Sequence, residues 1–122
     1  MAHIQFHKQS NIWTPKGFLL EFRMLEELVK IIRERKNSTT DKSYTSSLLN
    51  AGLDKCIDKM TEEFDELKEA LNTKNNQVHE AADLIYHLLV SLEAADIRYE
   101  DILKELQRRS SQSGIDEKNS RL

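Results

Sequence analysis

Apolar residues recur at every third or fourth position in several stretches of the chain, and polar segments separate these stretches. This spacing places the apolar side chains along one face of an α-helix, so each stretch predicts an amphipathic helix. The last such stretch contains Ile102, Leu103 and Leu106 and ends at Arg108 and Arg109. The three earlier predicted helices cover about residues 18–35, 46–71 and 77–95.

The second and third predicted helices are the longest, and a polar segment, N-T-K-N-N-Q, lies between them. A break of this length is short enough for the third helix to fold back antiparallel against the second. The apolar stripe of the second helix runs from Leu49 to Leu71, and Gly52 is its one poor helix former. Ser43 or Thr45 is expected to cap its N-terminus, because hydroxyl oxygens accept hydrogen bonds from free backbone N–H groups.

The third predicted helix is apolar almost all round, since residues 84–90 read L-I-Y-H-L-L-V. A helix of this kind is normally enclosed by other helices. A chain of 122 residues forms only a small core, and association of two copies would enlarge it. The sequence therefore predicts an all-α protein, an antiparallel bundle of four main helices completed by dimerisation.

Composition fits one domain, with three glycines and a single proline in the whole chain. We expect an N-terminal extension over residues 1–20, an all-α domain over 21–110 and a polar C-terminal tail over 111–122. Its net charge of −3, without a basic run, gives no support for binding to nucleic acid. No apolar run approaches the length of a membrane span, and no signal peptide is recognisable.

Cysteine usage points to a reducing compartment, because Cys56 has no partner for an intramolecular disulfide. Its place on an apolar helical position predicts a buried thiol. We therefore expect a cytoplasmic protein.

Two acidic pairs carry the candidate chemistry. Glu63 and Glu66 lie three residues apart in the second helix, and Glu80 and Asp83 have the same spacing in the third. Each pair thus lies on one helix face, and a hairpin could bring all four carboxylates together. Oxygen ligands of this kind hold hard cations such as Mg²⁺, often together with substrate phosphates. Alternatively, the acidic face is solvated and pairs with Lys59 and Lys68.

Other polar residues permit two interpretations. His87 lies one turn after Asp83, where it is either a functional residue or a hydrogen-bonded histidine at a helix interface. His79, beside the turn, is expected to be exposed. Arg108 and Arg109 could contact phosphates or complement the dipole of the last helix.

Five motifs occur in an order that matches a known family. They are S-Y-T (43–45), G-L-D-K (52–55), E-E-x-x-E (62–66), E-A-A-D-L-I-Y-H-L-L-V (80–90) and R-R-S-S-Q-S-G-I-D-E-K-N-S-R (108–121). With them, residues 22–121 resemble the phosphoribosyl-ATP pyrophosphatases of histidine biosynthesis. These belong to the wider MazG-like superfamily of all-α nucleotide pyrophosphatases.

The resemblance implies hydrolysis of 1-(5-phosphoribosyl)-ATP to 1-(5-phosphoribosyl)-AMP and pyrophosphate by a Mg²⁺-dependent homodimer. A polyphosphate is itself negatively charged, so carboxylates bind it only through intervening cations. The residues that the resemblance assigns are the metal ligands Glu63, Glu66, Glu80 and Asp83, the catalytic residues Glu62 and Glu63, and the phosphate-binding residues Lys55 and Lys59.

Three positions depart from the usual family pattern, namely Thr61, Phe64 and Asp65. The segment around them looks more like the general nucleotide pyrophosphatases. One alternative is therefore a house-cleaning nucleoside triphosphate pyrophosphatase with the same fold and metal site. Another is a non-enzymatic helical interaction module with a solvated acidic face.

Overall fold

The computed structural model describes residues 23–38 and 43–111, together with Asn119 and Arg121. All regular structure in these ranges is helical, which confirms the predicted all-α class. The five helices are α1 (Met24–Lys36), α2 (Tyr44–Ala51), α3 (Leu53–Thr73), α4 (Gln77–Ala94) and α5 (Tyr99–Ser110).

The predicted second helix is divided in two at Gly52. Ser43 caps α2, and its hydroxyl oxygen accepts a hydrogen bond of 3.2 Å from the backbone N–H of Ser46. Gly52 has a φ of 102° and a ψ of 171°, a conformation that glycine alone adopts readily. The prediction of one continuous helix from residue 46 to 71 was therefore wrong, because the chain changes direction at this glycine.

The α3–α4 hairpin has the predicted antiparallel arrangement. Residues 74–76 connect the two helices, and both Lys74 and Asn76 adopt left-handed backbone conformations. The N–H groups of Lys74 and Asn75 bond to the carbonyl oxygen of Ala70, which closes the end of α3. This tight turn packs the two longest helices side by side.

The buried core lies toward the end of the hairpin away from this turn, where α1 and α2 also pack. Cys56 is 1% exposed, and its thiol donates a hydrogen bond to the carbonyl oxygen of Leu48 at 3.4 Å. Its predicted burial is confirmed. The buried apolar residues of this cluster are Val29, Ile32, Leu48, Cys56, Leu89 and Val90.

Ion pairs attach α1 to the α4–α5 region. The Arg33 guanidinium donates two hydrogen bonds to the Glu100 carboxylate, at 3.0 and 2.5 Å. Lys36 pairs with Asp96 and donates to the backbone carbonyl of Glu93 at 3.0 Å. These contacts fix the position of α1 against the end of α4.

Within a single chain, α4 is not enclosed on all sides. Val78, Ile85 and Leu88 are 85%, 41% and 42% exposed, and Phe64 and Leu71 of α3 are half exposed. Val78 and Ile85 are seven residues apart on α4, as Phe64 and Leu71 are on α3, so each pair lies on one face of its helix. We call these exposed side chains, together with Leu88, the apolar surface along the hairpin. Within residues 23–38 and 43–111 these side chains stay exposed, so the predicted enclosure of α4 is incomplete in the described part of the chain.

Several predictions fall on residues outside the described ranges. These are the N-terminal extension, the first part of the predicted helix 18–35, and most of the C-terminal tail. Among the described helices, none combines the length and apolar character needed to cross a membrane.

Candidate metal centre

Three of the four predicted metal ligands meet on the inner side of the α3–α4 hairpin. Glu63 and Glu66 project from α3 and Glu80 projects from α4, and one carboxylate oxygen of each lies within 4.8 Å of the others. The i,i+3 spacing aligns the first two, and the antiparallel hairpin supplies the third. We call these three residues together with Asp83 the acidic cluster.

Asp83, the fourth predicted ligand, lies at the edge of the acidic cluster. Its carboxylate is 3.2 Å from Nε2 of His79, and these two residues form a second close group with Glu80. Glu80 therefore belongs to both groups and connects them. The His79 side chain is 63% exposed, as the sequence predicted.

Unpartnered oxygen atoms distinguish this cluster from an ordinary solvated acidic face. Glu63 is only 9% exposed, and its Oε1 atom is buried without a hydrogen-bond partner among the described residues. Oε1 of Glu80 is likewise buried without a hydrogen-bond partner among the described residues, whereas Oε2 of Glu80 accepts a hydrogen bond of 3.3 Å from the Asn76 side chain. A buried charged oxygen without a donor is energetically unfavourable, because its hydrogen bonds to water are lost and no protein hydrogen bond replaces them.

Like charges also affect Glu66. Loss of water around this carboxylate raises its pKa, and the neighbouring Glu80 carboxylate raises it further. Asp83 and Glu62 add smaller contributions in the same direction. A bound cation would oppose each of these effects, because it attracts the ionised carboxylates that now repel one another.

Together these features fit a hard divalent cation. Carboxylate oxygens are the ligands that Mg²⁺ and Ca²⁺ prefer, and Mg²⁺ commonly binds one or two carboxylates plus substrate phosphates and water. A cavity of about 260 Å³ adjoins the cluster at the turn, where Glu66, Glu69 and Glu80 contribute to its lining. The cluster is thus open on the side from which a ligand could approach.

Glu62 lies outside this group on the exposed side of α3. Its carboxylate accepts a hydrogen bond of 3.1 Å from Lys59, and this bond raises the pKa of the lysine. Lys55, one turn earlier, is exposed and forms no ion pair with any described residue. Both lysines line a cavity of about 260 Å³ together with Tyr44 of α2.

His87 is a buried interface residue that connects the cluster to α2. Its Nδ1–H donates a hydrogen bond of 2.9 Å to the backbone carbonyl of Asp83. In that tautomer Nε2 is an acceptor, and it lies 3.3 Å from the Tyr44 hydroxyl. Tyr86 packs edge-on against His87, and its hydroxyl is 2.5 Å from that of Thr45.

Sequence reasoning missed Tyr44 and Tyr86 as members of this network. Both tyrosines lie within sequence motifs, Tyr44 in S-Y-T and Tyr86 in Y-H-L-L-V, but the motifs alone do not indicate that Tyr44 contacts His87. Arg108 and Arg109 both pair with Glu105 at the end of α5, which supports the interpretation of these arginines as helix-end residues.

The chain is similar to known proteins over most of its length. The family model for phosphoribosyl-ATP pyrophosphohydrolase matches residues 25–110. A phosphoribosyl-ATP pyrophosphatase from Allorhizobium ampelinum is 46% identical over 99 residues, which cover 80% of this chain and 95% of that protein.

Two further relatives extend the comparison. The phosphoribosyl-ATP pyrophosphatase of Trichlorobacter lovleyi is 45% identical over 100 residues, covering 80% of this chain and 93% of the relative. The histidine biosynthesis bifunctional protein HisIE of Helicobacter hepaticus is 43% identical over 102 residues, which are 82% of this chain and 44% of that protein. The family match covers α2 to α5, all of α1 except Met24, and every residue of the acidic cluster. The chain belongs to the phosphoribosyl-ATP pyrophosphohydrolase family.

Proposed function

We propose that this chain hydrolyses 1-(5-phosphoribosyl)-ATP to 1-(5-phosphoribosyl)-AMP and pyrophosphate, as a step of histidine biosynthesis, with Mg²⁺ as its cofactor. One observation carries the proposal: the family match spans a hairpin in which buried carboxylate oxygens of Glu63 and Glu80 lack partners. The substrate is assigned from the names of the relatives, and the metal from the chemistry of the oxygen ligands.

Glu63, Glu66, Glu80 and Asp83 would hold the cation. When bound, Mg²⁺ would neutralise charge on the phosphates, including the charge that develops on the departing pyrophosphate. The protein's contribution is geometric, because Glu63 and Glu66 on α3 and Glu80 on α4 already lie within 4.8 Å of one another before the substrate arrives. The buried setting of Glu63 also strengthens its attraction for a cation.

Glu62 and Glu63 are the proposed catalytic residues. Glu62 lies beside the cluster, and its carboxylate could accept a proton from the attacking water while Lys59 holds it in place through the 3.1 Å hydrogen bond. Lys55 and Lys59 supply positive charge for substrate phosphates on the same side of α3.

We further propose that the working unit is a homodimer. The apolar surface along the hairpin is what supports this, because Ile85 and Leu88 are each about two-fifths exposed and lie on the helix that the sequence marks as enclosed. Replacing Ile85 by lysine should convert the dimer to a monomer in analytical ultracentrifugation. An unchanged sedimentation coefficient would place the dimer interface elsewhere.

The activity is tested by incubating the purified chain with phosphoribosyl-ATP and measuring pyrophosphate. Release should require Mg²⁺ and stop when the cation is chelated. Glu66→Gln should lower kcat by about 100-fold or more, because one ligand of a charge-stabilising cation is lost. Asp58→Asn, which removes an acidic charge from an exposed position of the same helix, should leave kcat unchanged. No pyrophosphate release by the wild-type protein would refute the proposed function.

A further inference from the structure

A row of charged residues extends along α3 from the acidic cluster toward the N-terminus of the helix. Lys55, Lys59 and Glu63 are spaced four residues apart, so they lie along one side of the helix. At a rise of about 1.5 Å per residue, Lys55 is about 12 Å from Glu63 along the helix axis. The row therefore has a positive end and a negative end.

A cavity accompanies the positive end. It has a volume of about 260 Å³, lies between α2 and α3, and combines polar groups with an apolar floor. Its volume suits a small phosphorylated sugar better than a whole nucleotide. The residues that line it are Tyr44, Ser47, Leu48, Ala51, Lys55 and Lys59.

Some of the polar side chains that line this cavity already have hydrogen-bond partners, and one has none among the described residues. Lys59 is paired with Glu62, and the Tyr44 hydroxyl lies against Nε2 of His87. Lys55 has no such partner among the described residues, although its ammonium group can donate three hydrogen bonds. It is therefore the cation in this cavity that is free to bind an anion.

The proposed substrate also has two charged ends. Its triphosphate is attached to the ribose of adenosine, whereas the second ribose and its 5-phosphate are attached to the adenine. The two charged groups therefore lie at opposite ends of the adenosine unit. The triphosphate needs cations to approach the acidic cluster, whereas an isolated phosphate can be bound directly by lysine.

We propose that the cavity beside Lys55 binds the 5-phosphate of the second ribose, and that Lys55 thereby distinguishes phosphoribosyl-ATP from ATP. This inference rests on the proposed function and adds a specificity-determining residue to it. ATP lacks the second phosphate, so it gains nothing from this cavity.

Steady-state kinetics on the full chain test the inference. Lys55→Ala should raise KM for phosphoribosyl-ATP about tenfold, the loss expected for one charge-assisted hydrogen bond, with a much smaller change in kcat. The inhibition constant of ATP, added as a competitor, should not change. Lys55→Arg should retain most of the affinity. Lys68→Ala, an exposed lysine on the same helix that lines none of the described cavities, is the matched control.

A binding experiment separates this inference from the proposed function. Ribose 5-phosphate is titrated by calorimetry in Mg²⁺-free buffer, with ribose as the control for the phosphate. Binding of the phosphorylated sugar by the wild-type protein and its loss in Lys55→Ala support the cavity even if no pyrophosphate is ever released. Conversely, an active wild-type enzyme whose KM is unaltered by Lys55→Ala overturns the inference and leaves the function intact. Absence of ribose 5-phosphate binding by the wild-type protein also counts against it.

Discussion

Replacing Glu63 by glutamine removes one charge from the acidic cluster and preserves the size of the side chain. The carboxylate oxygens of Glu63, Glu66 and Glu80 lie within 4.8 Å of one another. At that separation two like charges repel by about 1 kcal/mol at the dielectric constant of water, and by about 3 kcal/mol at an effective value of 20. Glu66 is exposed, and a solvent-filled cavity adjoins Glu80, so solvent screening keeps both interactions near the lower figure. The two neighbours together then give about 1–2 kcal/mol for Glu63.

Without a divalent cation, Glu63→Gln should therefore be more stable than the wild-type protein by about 1–2 kcal/mol. For a chain of this length, that difference raises Tm by about 5 °C. After addition of Mg²⁺, the wild-type protein should be the more stable of the two. The wild-type protein gains about 2.7 kcal/mol when the cation concentration is about 100 times its Kd. The variant gains less, because it has lost one ligand.

The assay is thermal unfolding followed by circular dichroism at one fixed protein concentration, in EDTA and in excess Mg²⁺. Asp58→Asn is the matched control, because it removes an acidic charge from an exposed site on the same helix. Its unfolding free energy should stay within about 0.5 kcal/mol of wild type in both buffers. Two results would refute the reasoning: a variant that is less stable than wild type in EDTA, or equal Mg²⁺-induced shifts in both proteins.

Three further outcomes are expected. Gly52→Ala should lower the unfolding free energy, measured by urea denaturation, by about 1–3 kcal/mol. A Cβ at this position would meet no atom within 4 Å, but the φ of 102° is strained for any residue with a side chain. An unchanged midpoint of the urea transition would contradict this expectation. The Arg33 hydrogen bond lowers the pKa of Glu100 to about 2 from 4.5, so its contribution is present above pH 4.5 and is lost as pH falls toward 2. Glu100→Gln should flatten the decline of Tm across that range, and an identical decline would show that the pair does not persist in solution. Burial raises the pKa of the Cys56 thiol, so Ellman's reagent should react with it only after unfolding, and rapid reaction of the native protein would place it at the surface.

Local patterns in the sequence predicted the α3–α4 hairpin well. The apolar period identified both helices, and the polar segment before Gln77 located the turn within a few residues. The same pattern did not predict the break at Gly52. An isolated glycine lowers helix propensity only modestly, and its backbone conformation depends on how α2 and α3 pack against their neighbours.

Candidate site residues were predictable only as far as helix geometry reaches. A spacing of three residues places Glu63 and Glu66 together on α3, but it does not determine which residues of α4 lie opposite them. The register of α4 against α3 places Glu80 close to this pair, whereas Asp83 lies nearer to His79. The contact between Tyr44 and His87 joins two helices that are distant in the chain, so no local pattern contains it.

The position of the acidic cluster within the hairpin has an energetic consequence. Cys56 and Leu89 belong to the buried core, which holds α3 and α4 together away from the turn. Glu63 and Glu80 face each other nearer the turn, where their charges oppose the same helix pairing. The hairpin thus tolerates a repulsive site because its core and its tight turn fix the helices on either side of it. That arrangement keeps the carboxylates preorganised for a cation, since a more relaxed hairpin would separate them and lose the geometry that binding requires.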